Sequence, residues 1–141
     1  MATAFWPYVH RIGIQFRDLD CMGHVNNAVY VGHLEQARNQ CYLDLLGRRD
    51  PLDPAGGLDF VVARVEVDYL VPVHYPDALE IVIRPVSVGR SSFTLVYEVT
   101  REDRAVVLRA RTVLVAYDWA TRKSKQVSPE LAEGLRAGIA A

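Results

Sequence analysis

Asp18-Leu19-Asp20-Cys21-Met22-Gly23-His24-Val25-Asn26-Asn27-Ala28-Val29-Tyr30 gathers two carboxylates, an imidazole, a glycine and two carboxamides into one short stretch. On its upstream side, Val9 to Phe16 alternates Ile12, Ile14 and Phe16 with Arg11, Gly13 and Gln15, the two-residue period of a strand with one buried face. On its downstream side, Tyr30, Leu34, Ala37, Cys41, Leu45 and Leu46 recur at steps of three and four and predict a helix over about 28–46. Asn26 or Asn27 suits the N-cap and Gly47 the position just past the end. The polar stretch therefore sits at a helix N-terminus, where unpaired backbone N–H groups and the positive end of the helix dipole favour negative charge. A developing oxyanion is stabilised at low cost in such a place.

Beyond the helix, Arg48 to Leu58 carries Pro51, Pro54, Gly56 and Gly57 and reads as a loop. From Phe60 the period becomes two: Val65, Val67, Tyr69 and Val71 point one way, Arg64, Glu66 and Asp68 the other. Leu79, Ile81 and Ile83 repeat the pattern, with Pro85 marking a bulge or an edge. Phe93, Leu95, Tyr97 and Val99 form another strand, and Ala105 to Tyr117 a longer one. The connections at Val88-Gly89-Arg90 and Arg101-Glu102-Asp103-Arg104 are short enough for antiparallel hairpins. Ser128-Pro129-Glu130 opens a short C-terminal helix with an N-cap, an N1 proline and a first-turn acid. Strand, long helix and four meandering antiparallel strands make an α+β domain spanning 1–141, one helix pressed on a curved sheet. A sheet covered by a single helix leaves apolar edge and face area over, which points to a homo-oligomer.

Composition narrows the functions. Half the residues are apolar, 23% are charged and the net charge is −1, so neither nucleic acid nor an anionic membrane is an expected partner. Nine Lys and Arg face four acids between Arg84 and Lys125, either a solvated sheet face or a seat for a polyanionic ligand. Two cysteines cannot build a disulfide framework and fit a reducing cytoplasm. Met1 to Pro7 lacks the basic and apolar regions of a signal peptide, and no apolar run approaches the ~20 residues of a membrane span. His10, His24, His33 and His74 show no zinc-ligand spacing, and nucleophile-elbow, Walker A and Rossmann motifs are absent.

The run Asp18 to Tyr30, followed by Glu35 and Ala37-Arg38, resembles the opening motif of hotdog-fold acyl thioesterases, and within them the 4-hydroxybenzoyl-CoA thioesterase-like group. Gly89-Arg90-Ser91-Ser92-Phe93 is similar to the family's segment between two central strands. The resemblance implies a hotdog fold, a long helix wrapped by a curved antiparallel sheet. It implies subunits paired sheet edge to sheet edge, as a homodimer or homotetramer, with active sites at the interface near the head of the helix. It places the catalytic carboxylate on Asp20 and the oxyanion donor on a backbone N–H near Asn27, and sets Arg90, Ser91 and Ser92 near the phosphates or pantetheine of coenzyme A (CoA). Plant acyl-carrier-protein thioesterases carry an asparagine two residues after the acid; Met22 stands there in this chain, which weakens an Asn-His mechanism and leaves the carboxylate.

Thioester chemistry suits these residues. The leaving thiolate has a pKa near ~8.5 and needs no strong general acid. What remains is an activated nucleophile and a place for the carbonyl oxygen's charge. Asp20 supplies the first as general base toward water or as direct nucleophile; the helix head supplies the second. No metal or redox cofactor is expected, CoA being part of the substrate.

Each residue also has a structural reading. Asp18 suits a turn whose amides it caps, and Asn26 and Asn27 suit capping. His24 either takes part in catalysis or is a satisfied loop histidine. Glu35 pairs with Arg38 at i+3 or joins the chemistry. Cys21 has no base beside it except His24. Arg122, Lys123 and Lys125 either meet a nucleotide diphosphate or face solvent, and Arg109 and Arg111 face solvent or a partner subunit. Tyr30, His33, Leu34, Phe60 and Val61 are the expected walls of an acyl tunnel. The expected activity is hydrolysis of acyl-CoA thioesters to acid and CoA. Its rivals are a non-catalytic protein binding acyl-CoA or an acyl carrier, and a hotdog enoyl hydratase or dehydratase.

Overall fold

The computed structural model describes residues 4–140. Strand β1 (Tyr8–Gly13) leads through a 3-10 turn (Phe16–Asp18) to helix α1 (Asn27–Leu46). Strands β2 (Phe60–Tyr69), β3 (Ala78–Val88), β4 (Ser92–Arg101), β5 (Val106–Asp118) and the two-residue β6 (Lys123–Ser124) follow, and helix α2 (Pro129–Ala140) ends the described chain.

The sheet runs β1-β3-β4-β5-β2, antiparallel throughout, with β6 added to the end of β5. The expected hairpins close β3 on β4 and β4 on β5, and the ladder shifts between Pro85 and Ser87, the bulge that proline marks. The expected meander stops short of β2. That strand pairs with β5 at the far edge, from Phe60 opposite Ala116 to Tyr69 opposite Leu108, so the chain crosses the sheet before β3 begins. Strand periodicity reports which face is apolar, not which neighbour is chosen.

β1 is also shorter than the alternation of Val9 to Phe16 suggests. Ile14 is buried, but the Asp18 carboxylate accepts the Gln15 N–H at 2.8 Å and curls the chain, leaving Phe16 76% exposed.

α1 begins one residue earlier than expected. Its Asn26 side chain accepts the Ala28 N–H at 2.8 Å, and Gly47 ends it in the left-handed conformation at φ 64°. Its buried stripe holds Tyr30, Leu34, Ala37, Cys41 and Leu46 as expected. It is wider than the apolar period, taking in Arg38, Tyr42 and Leu43, while Leu45 is only half-buried. The sheet curls round that stripe and supplies Phe93, Leu79, Ile81, Ile83, Leu108 and Leu114, all nearly inaccessible. α2 closes the end with Leu131 and Leu135, and the Trp6 indole donates to the Gly134 carbonyl at 2.9 Å. A helix held in a curved antiparallel sheet is the hotdog architecture.

The outer face of the sheet is charged. Arg11 meets Glu80 at 3.6 Å, Arg109 meets Glu98 at 3.4 Å, and Arg64 meets Glu66 at 2.8 Å, all well exposed. Exposed pairs of this kind contribute about 0–1 kcal/mol each. Each pair is neutral in itself, so the basic excess between Arg84 and Lys125 stands apart from them.

Candidate active site at the head of the long helix

Residues 18 to 26 form a tight loop closed by hydrogen bonds among its own residues and anchored to the chain on either side. Leu19 and Val25 pair as an isolated antiparallel bridge. Asp20 N–H donates to the His24 carbonyl at 3.0 Å, and Gly23 N–H to the Asp20 carbonyl at 3.1 Å. Gly23 sits at φ 80°, a conformation that costs any residue with a Cβ. Asp18 is buried and its carbonyl takes the Asn26 N–H at 3.0 Å, so its role is the structural one. Val25 N–H donates to the Val73 carbonyl at 2.8 Å, tying the loop to the segment after β2.

This folding leaves one carboxylate and one amide at the helix head. Asp20 Oδ1 accepts the Met22 N–H at 2.8 Å. Its Oδ2 lies 3.9 Å from His24 Nδ1, an electrostatic distance rather than a hydrogen bond. Of the first amides of α1, Ala28 N–H is taken by the Asn26 side chain and Val29 N–H by the Asn26 carbonyl. The Asn27 N–H has no partner among the described residues. The Asn27 carbonyl accepts the Tyr69 hydroxyl at 3.0 Å, which holds the end of β2 against the helix.

A cleft of about 280 Å³ opens here, walled by His24, Asn27, Tyr30, Tyr69 and Pro72 among others. Asp20 is not itself a wall of this cleft and meets it through His24, whose ring also packs edge-on against His74. Burial pushes the Tyr30 phenol up to about 12, so it stays protonated and serves as a donor. Cys21, within the loop, is exposed.

Asp20, His24 and Asn27 thus come together; Arg90, Ser91 and Ser92 do not join them within one chain. The latter lie in the β3–β4 hairpin, where Ser92 is level with Val115 and Val61, eight residues from Tyr69 along β2. At ~3.3 Å per residue that is about 26 Å. Arg90 is exposed and shares a cavity of about 500 Å³ with Gln126, Pro129 and Arg136. Arg136 is not legible as a partner in the sequence, since only the docking of α2 brings it near. Ser91 and Ser92 serve the backbone, their carbonyls accepting Ala116 N–H at 2.9 Å and Gly89 N–H at 2.7 Å.

Other expectations change. Glu35 is exposed and forms no ion pair with Arg38, which turns inward and is 5% exposed. Its guanidinium lies 5.9 Å over the Phe60 ring. Lys125 is engaged by Asp59 at 2.7 Å rather than free for a phosphate. Of the expected tunnel walls, Tyr30 lines the helix-head cleft and Phe60 a separate cavity. Leu34 is core, His33 lies 3.5 Å from Asp18, and Val61 lines neither space. That second cavity, about 480 Å³, lies between α1, β2 and the 51–58 loop, with Arg38, Phe60, Leu52, Leu58, Val62 and Trp119 in its walls. Sequence reasoning misses Trp119 and Arg38 as a pair because 81 residues separate them.

The fold and this helix-head loop define a hotdog protein of thioesterase type. The model of the Thioesterase-like superfamily matches residues 14–135, and the chain belongs to that family. Among solved structures it is similar to a thioesterase from Thermus thermophilus complexed with coenzyme A and Zn, at 33% identity, TM-score 0.81 and 94% coverage of both chains. Two more distant likenesses bear on the fold alone. One is SAV2348 from Staphylococcus aureus in complex with CoA, at 14% identity, TM-score 0.85, covering 99% of this chain and 88% of that one. The other is Slr0204, a 1,4-dihydroxy-2-naphthoyl-CoA thioesterase from Synechocystis, at 16% identity, TM-score 0.78, covering 91% and 94%. No helix among the described residues is long and apolar enough to cross a membrane.

Proposed function

We propose that this protein hydrolyses acyl-CoA thioesters, with Asp20 as the reacting carboxylate and the Asn27 N–H as oxyanion donor. The observation that carries this reading is the pairing of a fixed carboxylate with an unpartnered amide at the head of a 20-residue helix, beside a cleft. As general base, Asp20 takes a proton from water. The water oxygen then bonds to the carbonyl carbon, the carbonyl oxygen gains charge at the Asn27 N–H, and the C–S bond breaks to release the CoA thiolate. As nucleophile, Asp20 bonds to the carbonyl carbon, the C–S bond breaks to release the CoA thiolate, and water then cleaves the resulting anhydride to the free acid and the restored carboxylate. His24 stands between Asp20 and the cleft, where it orients the carboxylate or the attacking water. Neither route needs a metal or redox group, and the thermophilic relative's bound CoA supports the choice of thiol carrier.

The working unit in this reading is a homodimer, alone or within a tetramer, in the cytoplasm. β2 is an outer strand with exposed Val65 and Tyr69 and no strand on its free side among the described residues. A two-fold axis beside it runs two copies antiparallel and sets the Phe60 end of one against the Tyr69 end of the other. The partner subunit's Arg90 then stands about three strand spacings, ~14 Å, from this chain's Tyr69, instead of about 26 Å within one chain. Arg90, Ser91 and Ser92 reach CoA in that assembly, with Arg136 beside them.

The test is free-thiol release from a panel of acyl-CoAs by wild type and Asp20→Asn. The expected result is release by wild type and a fall of roughly 10²- to 10⁴-fold in the variant, the usual worth of a positioned acid or base. Saturable acyl-CoA binding with no release by either protein would instead make this a binding module, and loss of an enoyl-CoA without thiol release a hydratase.

A further inference from the structure

Arg38 is a buried cation without an anion. It is 5% exposed, no carboxylate lies within ion-pair distance of it among the described residues, and its Nε–H has no hydrogen-bond partner. Its core-side neighbours are neutral: the Phe60 ring face and the hydroxyl of Tyr97, itself bonded to Thr112 at 2.7 Å. Removing a guanidinium from water is costly unless an anion or a full set of acceptors replaces the water.

The residue also lies in the wall of the 480 Å³ cavity, whose remaining surface is largely aromatic and aliphatic through Phe60, Trp119, Leu52 and Leu58. Two acids, Glu35 and Asp53, stand in the same walls, but both are exposed and solvated. Solvent screening weakens their reach toward the guanidinium, whose Nε–H is itself sealed from water.

The cavity's position relates it to the thioester site. Both spaces are bounded by α1 on one side and β2 on the other: Asn27, Tyr30 and Tyr69 at one end, Arg38, Phe60 and Val62 at the other. Eleven residues of helix separate Asn27 from Arg38, about 16 Å at ~1.5 Å per residue. An acyl group whose thioester carbonyl sits at the helix head would have to span about that distance along the line of α1 and β2 to reach the second cavity.

We infer that this second cavity receives the far end of the acyl group and that Arg38 selects acyl groups ending in a carboxylate, the mono-thioesters of dicarboxylic acids. The apolar walls take the methylene chain, and the terminal carboxylate supplies the missing anion. This substrate class rests on the hydrolase reading above and narrows it.

The test compares matched acyl-CoAs of equal carbon number, one ending in methyl and one in carboxylate, over a series of chain lengths, read as kcat/KM for thiol release. At the best length the carboxylate member is expected to win by about ten- to hundredfold, the usual worth of a hydrogen bond to a charged group. Arg38→Met is expected to bring that ratio to one or below, and Arg38→Lys to keep part of it. A purely structural role for Arg38 would lower both rates together and leave the ratio alone, which overturns the proposal; so does a methyl-ended preference at every length. Calorimetric binding of free dicarboxylic and monocarboxylic acids to the wild-type protein removes dependence on how the variants fold, and tighter dicarboxylate binding is expected. Tighter dicarboxylate binding without thiol release from any thioester would overturn the hydrolase reading and leave the site standing. Release confined to methyl-ended substrates, with no dicarboxylate binding, would do the reverse.

Discussion

Asp59→Asn is the substitution whose cost can be worked most fully from the structure. The Asp59 carboxylate accepts the Tyr42 hydroxyl, Arg48 Nη1 at 2.9 Å and Lys125 Nζ at 2.7 Å, so it knots α1, the loop after it and the chain just past β6. Arg48 also donates to the Gly57 carbonyl at 2.8 Å, holding the loop that walls the Arg38 cavity. Burial alone would raise the Asp59 pKa, but Lys125, Tyr42 and Arg48 together outweigh it and hold the carboxyl below its ordinary value. Breaking a fully buried pair costs about 3–5 kcal/mol and an exposed one about 0–1. Here the Arg48 side chain is 22% exposed and Lys125 41%, and asparagine keeps one acceptor, so the loss falls between, about 2 kcal/mol at neutral pH. Because the folded-state pKa is depressed, the stabilisation is fully present above the unfolded value of ~3.9 and disappears as pH falls through the lower folded value. Urea unfolding of both proteins from pH 7 downward is the assay, with m-values compared to confirm that the unfolded states match. The gap between them should be widest at neutral pH and close under acid conditions. A gap below about 0.5 kcal/mol at pH 7, or one that stays constant into acid, would refute an ionic knot.

Two further outcomes are expected. Asn26→Ala removes the acceptor of the Ala28 N–H and should cost about 1 kcal/mol by thermal unfolding; if the helix head serves the oxyanion, kcat falls more than KM changes. Gly57→Ala drives a Cβ into the Pro51 carbonyl and within 2.9 Å of Asp53 N, a backbone obstacle that cannot swing aside. A loss of about 1–3 kcal/mol should follow, and an unchanged melting temperature would mean the 51–58 loop is looser than described.

What the sequence makes legible is what the chain holds locally. The loop Asp18 to Asn27, the N-cap, Gly47 and the Pro85 bulge each depend on contacts among neighbours or on one residue's backbone preference, so their letters suffice. Phe16 escapes the reading because alternation cannot see that a carboxylate two residues on will turn the chain. β2 does not lie beside β3 as a meander would have it, because an apolar period is silent about partners. Arg38 departs from expectation for a related reason: i, i+3 spacing offers Glu35 as its mate, but the helix face it occupies is the covered one, and burial decides the matter against the pair.

The same non-local logic separates the two groups of candidate site residues along the molecule. The antiparallel ladder carries Tyr69 and the helix head to one end of β2, and the Arg90 hairpin to the other. Nothing within a single chain of this topology can fold those ends together without breaking the β2–β5 ladder. In the dimer proposed above, a second copy across the free edge would join them with no change in either chain. The edge strand that is a liability for a monomer would then be the element that completes the proposed site. On this reading activity depends on protein concentration: dilution below the dimer's dissociation constant should abolish thiol release together with the sedimenting dimer, and a monomer of undiminished activity would separate Arg90 from the reaction altogether.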